Sequence, residues 1–337
     1  METLECSFRQ IFLTFVNSLV RRRWHRGVFF FLEMGAMMKR RVNGKLRSLA
    51  VATVLLLYPT ASSLAASVTE PGETVGLPNG TPAPPGLYLA NEANYGCRST
   101  SPQKTCVLVD VAFLAWSTPW TIFGGRLVFV GAGDAANVSI LNTTSAAGLA
   151  NPFVAGILAW DLGHDWGFSY MLGGYFDVDT PTAFSSSSLN QRFALSYSGN
   201  DWNLTANVIW GINFDQLTSK PEGFPCPPVS TAFPTNGCNP NFINLDLTAT
   251  KKFGKWELGP VAFYSSDLSK PEPGYPKQSQ FGLGGLIGYW FGPVVLQAYV
   301  TTNLYENNYG GRDTRLWTRV IVPIIDQPRP AAPSLSK

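Results

Sequence analysis

Charge is scarce in this chain. Asp, Glu, Lys and Arg account for 14% of its 337 residues, where an ordinary soluble domain carries about 25%, so a broad water-facing charged surface is excluded. Long apolar runs are also missing: nowhere do roughly 18 apolar residues follow one another, which excludes a membrane-spanning helix. The net charge of +3 does not signal a nucleic-acid partner. Residues 1–65 hold 10 Lys/Arg and 3 Asp/Glu, and the rest hold 15 and 19. Beyond residue 65 the chain is therefore slightly acidic and offers no basic footprint for nucleic acid.

Aromatic residues are abundant, at 13%, as are glycine, with 32 residues, and proline, with 25. Such punctuation breaks long helices, and this aromatic content argues against intrinsic disorder. An all-β protein remains, either a soluble sandwich or a membrane barrel.

The start of the chain reads as a targeting segment. Met38-Lys39-Arg40-Arg41, with Lys45 and Arg47, forms a cationic head; Ser48 to Tyr58 is mostly apolar; Pro59 to Ala65 ends in small residues. This order is that of a cleaved export signal over residues 38–65, with cleavage after Ala65 or Ala66. Residues 1–37 then precede a complete signal peptide, and we expect them to be a mis-assigned extension, with Met37 or Met38 the true start. Residues 66–85, rich in Pro, Gly and Thr, read as a flexible lead.

Export places the remaining cysteines in an oxidising compartment. Leaving Cys6 aside, Cys97 and Cys106 form one local pair and Cys226 and Cys238 another, each around a turn-rich segment. Two loop-stapling disulfides are expected, the alternative being reduced thiols. The spacings are not those of zinc sites, so no metal is expected.

From Gly86 onward the pattern has period two, the mark of strands. In Trp202 to Phe214, apolar Trp202, Leu204, Ala206, Val208 and Trp210 alternate with Asn203, Thr205, Asn207, Ile209 and Gly211; Phe242 to Thr250 alternates likewise. Twelve such segments begin near residues 86, 106, 124, 153, 166, 190, 202, 243, 256, 279, 293 and 313. Their length, about 10 residues, suits tilted membrane strands better than soluble ones of about 5–6.

The connections alternate long and short along the whole chain, the long ones including Gly96–Thr105, Asp134–Pro152 and Asp215–Asn241. That alternation is the asymmetry of an outer-membrane barrel, with short periplasmic turns and long outer loops. Trp116, Trp120, Trp160, Trp166, Trp202, Trp256 and Trp290 all lie within a few residues of the short turns, where an interfacial girdle belongs. The expected fold is all-β: a transmembrane antiparallel β-barrel of about twelve strands over residues 86–325, followed by a Pro-rich periplasmic tail at 326–337.

The strands in order resemble the outer-membrane transporters grouped as the "MetA-pathway of phenol degradation" family. The resemblance lies in Gly124-Gly125-Arg126-Leu127, Gly156-Ile157-Leu158-Ala159-Trp160, Ala194-Leu195-Ser196-Tyr197, Leu283 to Tyr289, Asn303-Leu304-Tyr305 and the closing Arg319 to Pro323. It runs from Gly86 to Pro323 and implies an exported barrel, often encoded near genes for degrading aromatic or other hydrophobic compounds. Its ending departs from the common one, since the last strand closes on Pro323-Ile324-Ile325 rather than on an aromatic residue.

Catalysis has little to work with. Past the signal, His164 is the only histidine, in the short Gly163-His164-Asp165 turn, and no nucleophile motif, phosphate loop or dinucleotide fingerprint accompanies it. No catalytic residue and no cofactor is expected. If the apolar faces meet lipid, the lumen receives Glu92, Asp110, Arg126, Arg192, Asp246, Glu257, Arg315 and Arg319. Those charges form either a selective constriction or a network of ion pairs that fills a narrow barrel; Gly282, Gly284 and Gly288 face the same side. Phe224 and Phe233 are candidates for capture in the outer loop at 220–240. The expected function is passive uptake of small hydrophobic or aromatic solutes across a bacterial outer membrane, with membrane lipid, the solute and the barrel-assembly machinery as partners. The alternative is a plugged structural or adhesive barrel without transport.

Overall fold

The computed structural model describes residues 67–326, except 101–102, 141, 143, 185, 215–238 and 272–274. Thirteen strands follow in chain order: β1 (Gly86–Arg98), β2 (Thr105–Ile122), β3 (Gly125–Ile140), β4 (Thr144–Leu149), β5 (Phe153–Gly163), β6 (Trp166–Tyr175), β7 (Ser188–Tyr197), β8 (Trp202–Asn213), β9 (Phe242–Phe253), β10 (Trp256–Asp267), β11 (Ser279–Phe291), β12 (Val294–Asn307) and β13 (Asp313–Asp326). All pairings are antiparallel. β1 pairs with both β2 and β13, and β2 with β3, so the sheet closes on itself.

Twelve strands make the barrel and β4 is additional. β3 is shared, with Arg126–Ala132 pairing with β5 and Ala135–Ile140 with β4. The connection expected over Asp134–Pro152 is therefore largely a hairpin that continues β3 past the end of β5. Ala146, Ala147 and Gly148 make its second limb, too short and small to read as a strand from periodicity.

Short turns lie at one end of the barrel, where tight backbones are needed. Phe123 and Gly124 in β2–β3, and Asn200 and Asp201 before β8, take positive φ in succession, the conformation that matches the twist of two antiparallel strands. His164 and Asp165 do the same at β5–β6, which leaves His164 a turn residue. Around this end Trp120, Trp166, Trp202 and Trp256 are exposed, and rings pair there, Trp116 with Trp120 at 5.3 Å and Trp256 with Tyr289 at 4.7 Å. Leu89, Leu114, Leu172, Leu204, Leu258 and Leu316 are exposed on the outer wall, an apolar belt that only lipid suits.

The inner wall is the reverse. Asn190, Asn207, Asn244, Thr248 and Thr250 are buried, and residues 67–85, expected to be a flexible lead, fill the space they surround. Val75 is fully buried among Val261, Leu286, Tyr299 and Trp317. The lead enters the lumen because its prolines and glycines make turns rather than strands while its backbone N–H groups and carbonyls meet a polar wall. β13 also runs to Asp326, one residue into the expected tail.

Candidate functional site

The lumen and the segment within it form the candidate site. Going down from the loop end, Ser67 Oγ accepts from Asn244 Nδ2 (3.0 Å) and Thr69 Oγ1 accepts from Asn190 Nδ2 (2.9 Å). Asp246 then takes three donors: Gly72 N at 2.9 Å, Thr74 N at 3.0 Å and Thr74 Oγ1 at 2.6 Å. Gly76 N donates to Thr248 Oγ1 (2.7 Å), and near the turn end Gly80 N donates to Ser196 Oγ (2.9 Å). The plug is thus held along its length by side chains of the wall. Two glycines make this possible. Gly72 and Gly76 have φ of +89° and +82°, and a Cβ on Gly76 would lie 2.5 Å from Leu286 Cδ1, so both backbone shape and clearance require glycine.

Arginines supply the rest. Arg319 Nε donates to Glu92 Oε2 (2.7 Å), while its two terminal nitrogens reach the plug carbonyls of Val75 (2.7 Å) and Glu73 (2.5 Å). Arg315 bridges Glu70 of the plug, Asn94 Oδ1 (2.6 Å) and Asp313 (2.9 Å). Arg192 pairs with Glu73 at 3.3 Å and donates to Asn190 at 2.9 Å. All three are screened from water by the barrel, so their pairing offsets a desolvation cost that would otherwise be several kcal/mol per ion.

Of the eight charges expected in the lumen, Arg192, Asp246, Arg315 and Arg319 meet the plug, and Glu92 meets Arg319. Glu257 is buried and accepts from Thr250 Oγ1 (2.5 Å) and Gln297 Nε2 (3.3 Å). Arg126 lies near the turn end, donates to the Thr118 carbonyl at 3.2 Å and makes no ion pair among the described residues. Asp110 does not belong to the lumen. It is exposed on the outer wall, where Asn91 Nδ2 donates to it at 2.6 Å. On β2 the inward positions are Val107, Val109 and Val111, with Val111 buried, so this strand turns an apolar row inward and its single acid outward. Phasing by hydrophobicity fails on a strand whose apolar residues occupy both faces.

Glu70, Glu73, Arg98, Asp134 and Asp313 were missed. Glu70 and Glu73 sit in a segment with no strand period, which offered no sequence signal for them. Asp134 fell in the expected outer connection, and Arg98 and Asp313 end their strands opposite each other. Tyr309, in the β12–β13 loop, stacks under Arg98 at 3.8 Å, and burial raises its hydroxyl above the ordinary range.

Cys97 and Cys106 face each other in the β1–β2 register and form a disulfide at the loop end. Cys226, Cys238, Phe224 and Phe233 lie outside the described residues, as do 1–66 and 327–337. A hollow of about 820 Å³ that includes Leu114, Phe129, Val154 and Leu172 in its lining is on the outer wall, where the apolar belt faces lipid. The lumen keeps a smaller cavity of about 100 Å³ beside the upper plug. Phe184 is held at its edge by Asn151, whose Nδ2 donates to the Phe184 carbonyl (2.8 Å) and whose Oδ1 accepts from Phe184 N (2.7 Å).

A closed antiparallel barrel with an apolar outer belt, an aromatic girdle at the short turns and a polar, plugged lumen defines an outer-membrane β-barrel protein. Residues 90–320 match the family described as "Putative MetA-pathway of phenol degradation", and the chain belongs to it. No curated protein matches by sequence. Among solved structures, the COG4313 outer membrane channel from Pseudomonas putida F1 is similar in fold, with a TM-score of 0.57 at 11% identity over 75% of this chain and 99% of that one. The β domain of the Bordetella autotransporter BrkA matches with a TM-score of 0.44 at 14% identity, over 70% of this chain and 99% of that one. The NanC porin matches with a TM-score of 0.42 at 10% identity, over 69% and 100%.

Proposed function

We propose that the chain mediates passive uptake of small hydrophobic or aromatic solutes across the outer membrane, through a lumen whose N-terminal plug excludes ions and bulk water. The observation that carries this reading is the two-sided upper lumen: Val107, Val109 and Val111 line one side of its cavity, while the charges opposite are largely spent on holding the plug. Such a vestibule favours an apolar guest over a hydrated one. The family and the likeness to an outer membrane channel support the same direction. A second reading has an observation of its own: Glu92, Arg315 and Arg319 are buried in a dense network around the plug, which suits a permanently closed structural barrel.

Planar-bilayer conductance tests the plug, which both readings share, and solute uptake separates the two. The uptake reading expects little ion current from the wild type and a clear current from Arg315→Ala/Arg319→Ala. It also expects cells carrying the wild-type protein to take up a small aromatic solute such as toluene faster than cells without it. Equal uptake with and without the protein would overturn the reading in favour of the structural barrel.

A further inference from the structure

The wall of the cavity beside the upper plug carries one acid that no arginine meets among the described residues. Glu70 meets Arg315 and Asn94, Glu73 meets Arg192, and Asp313 meets Arg98 and Arg315. Asp134, the remaining acid of the cavity wall, has its Oδ1 buried with no hydrogen-bond partner among the described residues. A buried carboxylate oxygen without a donor is costly; Glu92 Oε1 and Asp313 Oδ1 lack one as well, but the second oxygen of each takes an arginine, whereas Asp134 has no ion pair among the described residues.

Beside Asp134 the wall is apolar, with Val111 its cross-strand neighbour. Val107, Val109 and Val111 of β2, Ala136 of β3, Val68 of the plug and Phe184 line this part of the cavity. An apolar cavity of about 150 Å³ holds a benzene ring, so a volume of about 100 Å³ is too small for a ring and limits an apolar guest to a short chain of about three carbons.

We propose that this cavity binds a small apolar amine, its hydrocarbon body against the valines and Phe184 and its ammonium group donating to Asp134. A hydroxyl can give Asp134 one neutral hydrogen bond; an ammonium gives it a charge-assisted one, about twice as strong. The assignment rests on the uptake reading in taking the upper lumen as a place where solute pauses, and it narrows the solute to a cationic class.

The test is calorimetric titration of the full chain in detergent with n-propylamine and n-propanol, against micelles alone. A charge-assisted hydrogen bond contributes enough to make propylamine bind about ten- to a hundredfold more tightly than propanol. Asp134→Asn, close in shape, is expected to erase that preference while leaving alcohol binding in place. Val109→Phe, which fills the cavity, is expected to abolish binding of both probes, with heat-dependent gel migration reporting that both variants fold. Equal binding of amine and alcohol, a preference that survives Asp134→Asn, or no binding of any probe would each overturn the proposal. Toluene uptake by cells is read in parallel. Uptake without an amine preference sinks this proposal alone, whereas an amine preference without uptake sinks the transport reading and leaves a binding site.

Discussion

Arg319 of β13 and Glu92 of β1 stand directly opposite each other in the barrel ladder, and Arg319 Nε donates to Glu92 Oε2 at 2.7 Å. The pair would be ordinary wall filling were it not for the other guanidinium nitrogens, which reach the plug carbonyls of Glu73 and Val75. Glu92 thus orients a group whose remaining donors hold the plug. Barrel closure at the β1–β13 seam and plug docking share one side chain.

Removing that side chain is expected to damage both. Arg319→Met leaves the Glu92 carboxylate buried without its counter-charge, a change that costs about 3–5 kcal/mol, and it frees two plug carbonyls. The expected outcome is a lower temperature for the heat-dependent gel shift, together with increased ion conductance. Replacing both partners, Glu92→Gln with Arg319→Gln, removes the uncompensated charge and is expected to recover part of the stability but not the closed lumen. A double variant as unstable as Arg319→Met would show that the ion pair is not the source of the loss.

Asp246 acts on the plug alone. Its carboxylate takes three donors from Gly72 and Thr74, while the β9 backbone that carries it is paired on both sides. Asp246→Ala is therefore expected to loosen residues 72–76 and leave the barrel closed. Hydrogen bonds to a charged group contribute about 1.5–3 kcal/mol each, so amide exchange at 72–76 should rise by at least about tenfold. Exchange in β8, β9 and β10 should stay as in the wild type. Uniformly faster exchange would mean that plug and wall unfold as one unit.

Gly76 tests the fit between backbone and wall. With φ at +82° and Leu286 Cδ1 2.5 Å from an added Cβ, Gly76→Ala combines an unfavourable conformation with a clash, together about 1–3 kcal/mol. The plug is expected to shift and ion conductance to appear. Gly285→Ala is the matched control, because an added Cβ there meets nothing within 4 Å and conductance should not change.

What was legible in the chain was whatever repeats. Period-two alternation placed the starts of β1, β5, β6, β8, β10, β11 and β13 on the residues where they begin, because lipid outside and a polar lumen inside impose opposite demands on successive residues. The plug was illegible for the same reason: Ser67 to Pro85 is neither strand nor helix, and its partners, such as Asp246 for Thr74, lie about 170 residues away in sequence. Six of the eight expected charges line the lumen around buried partners, yet their use, as hooks for a segment, depends on a contact no local pattern encodes. Asp110 was misplaced because β2 carries apolar residues on both faces, Val107, Val109 and Val111 inward and Leu108 and Leu114 outward.

That outward Asp110 makes the last prediction, and its sign is opposite to that of the lumen charges. Six residues along β2 separate it from Trp116 at the girdle, about 15 Å of height for a tilted strand, which puts it well inside an apolar band about 25 Å tall. Its neighbours on the outer wall are Leu108 and Leu114, both exposed, and the partner it has there is Asn91. Lipid offers such a group no further donors, so the pair weakens the barrel rather than holding it. Asp110→Leu combined with Asn91→Leu is expected to raise stability by about 1–2 kcal/mol, read as a higher temperature for the heat-dependent gel shift, with uptake and conductance unchanged. Changing only Asp110 should gain less, since the Asn91 carboxamide would be left facing lipid with the Val111 carbonyl, 3.3 Å away, as its acceptor. A loss of stability in the double variant would show that something other than lipid covers this face.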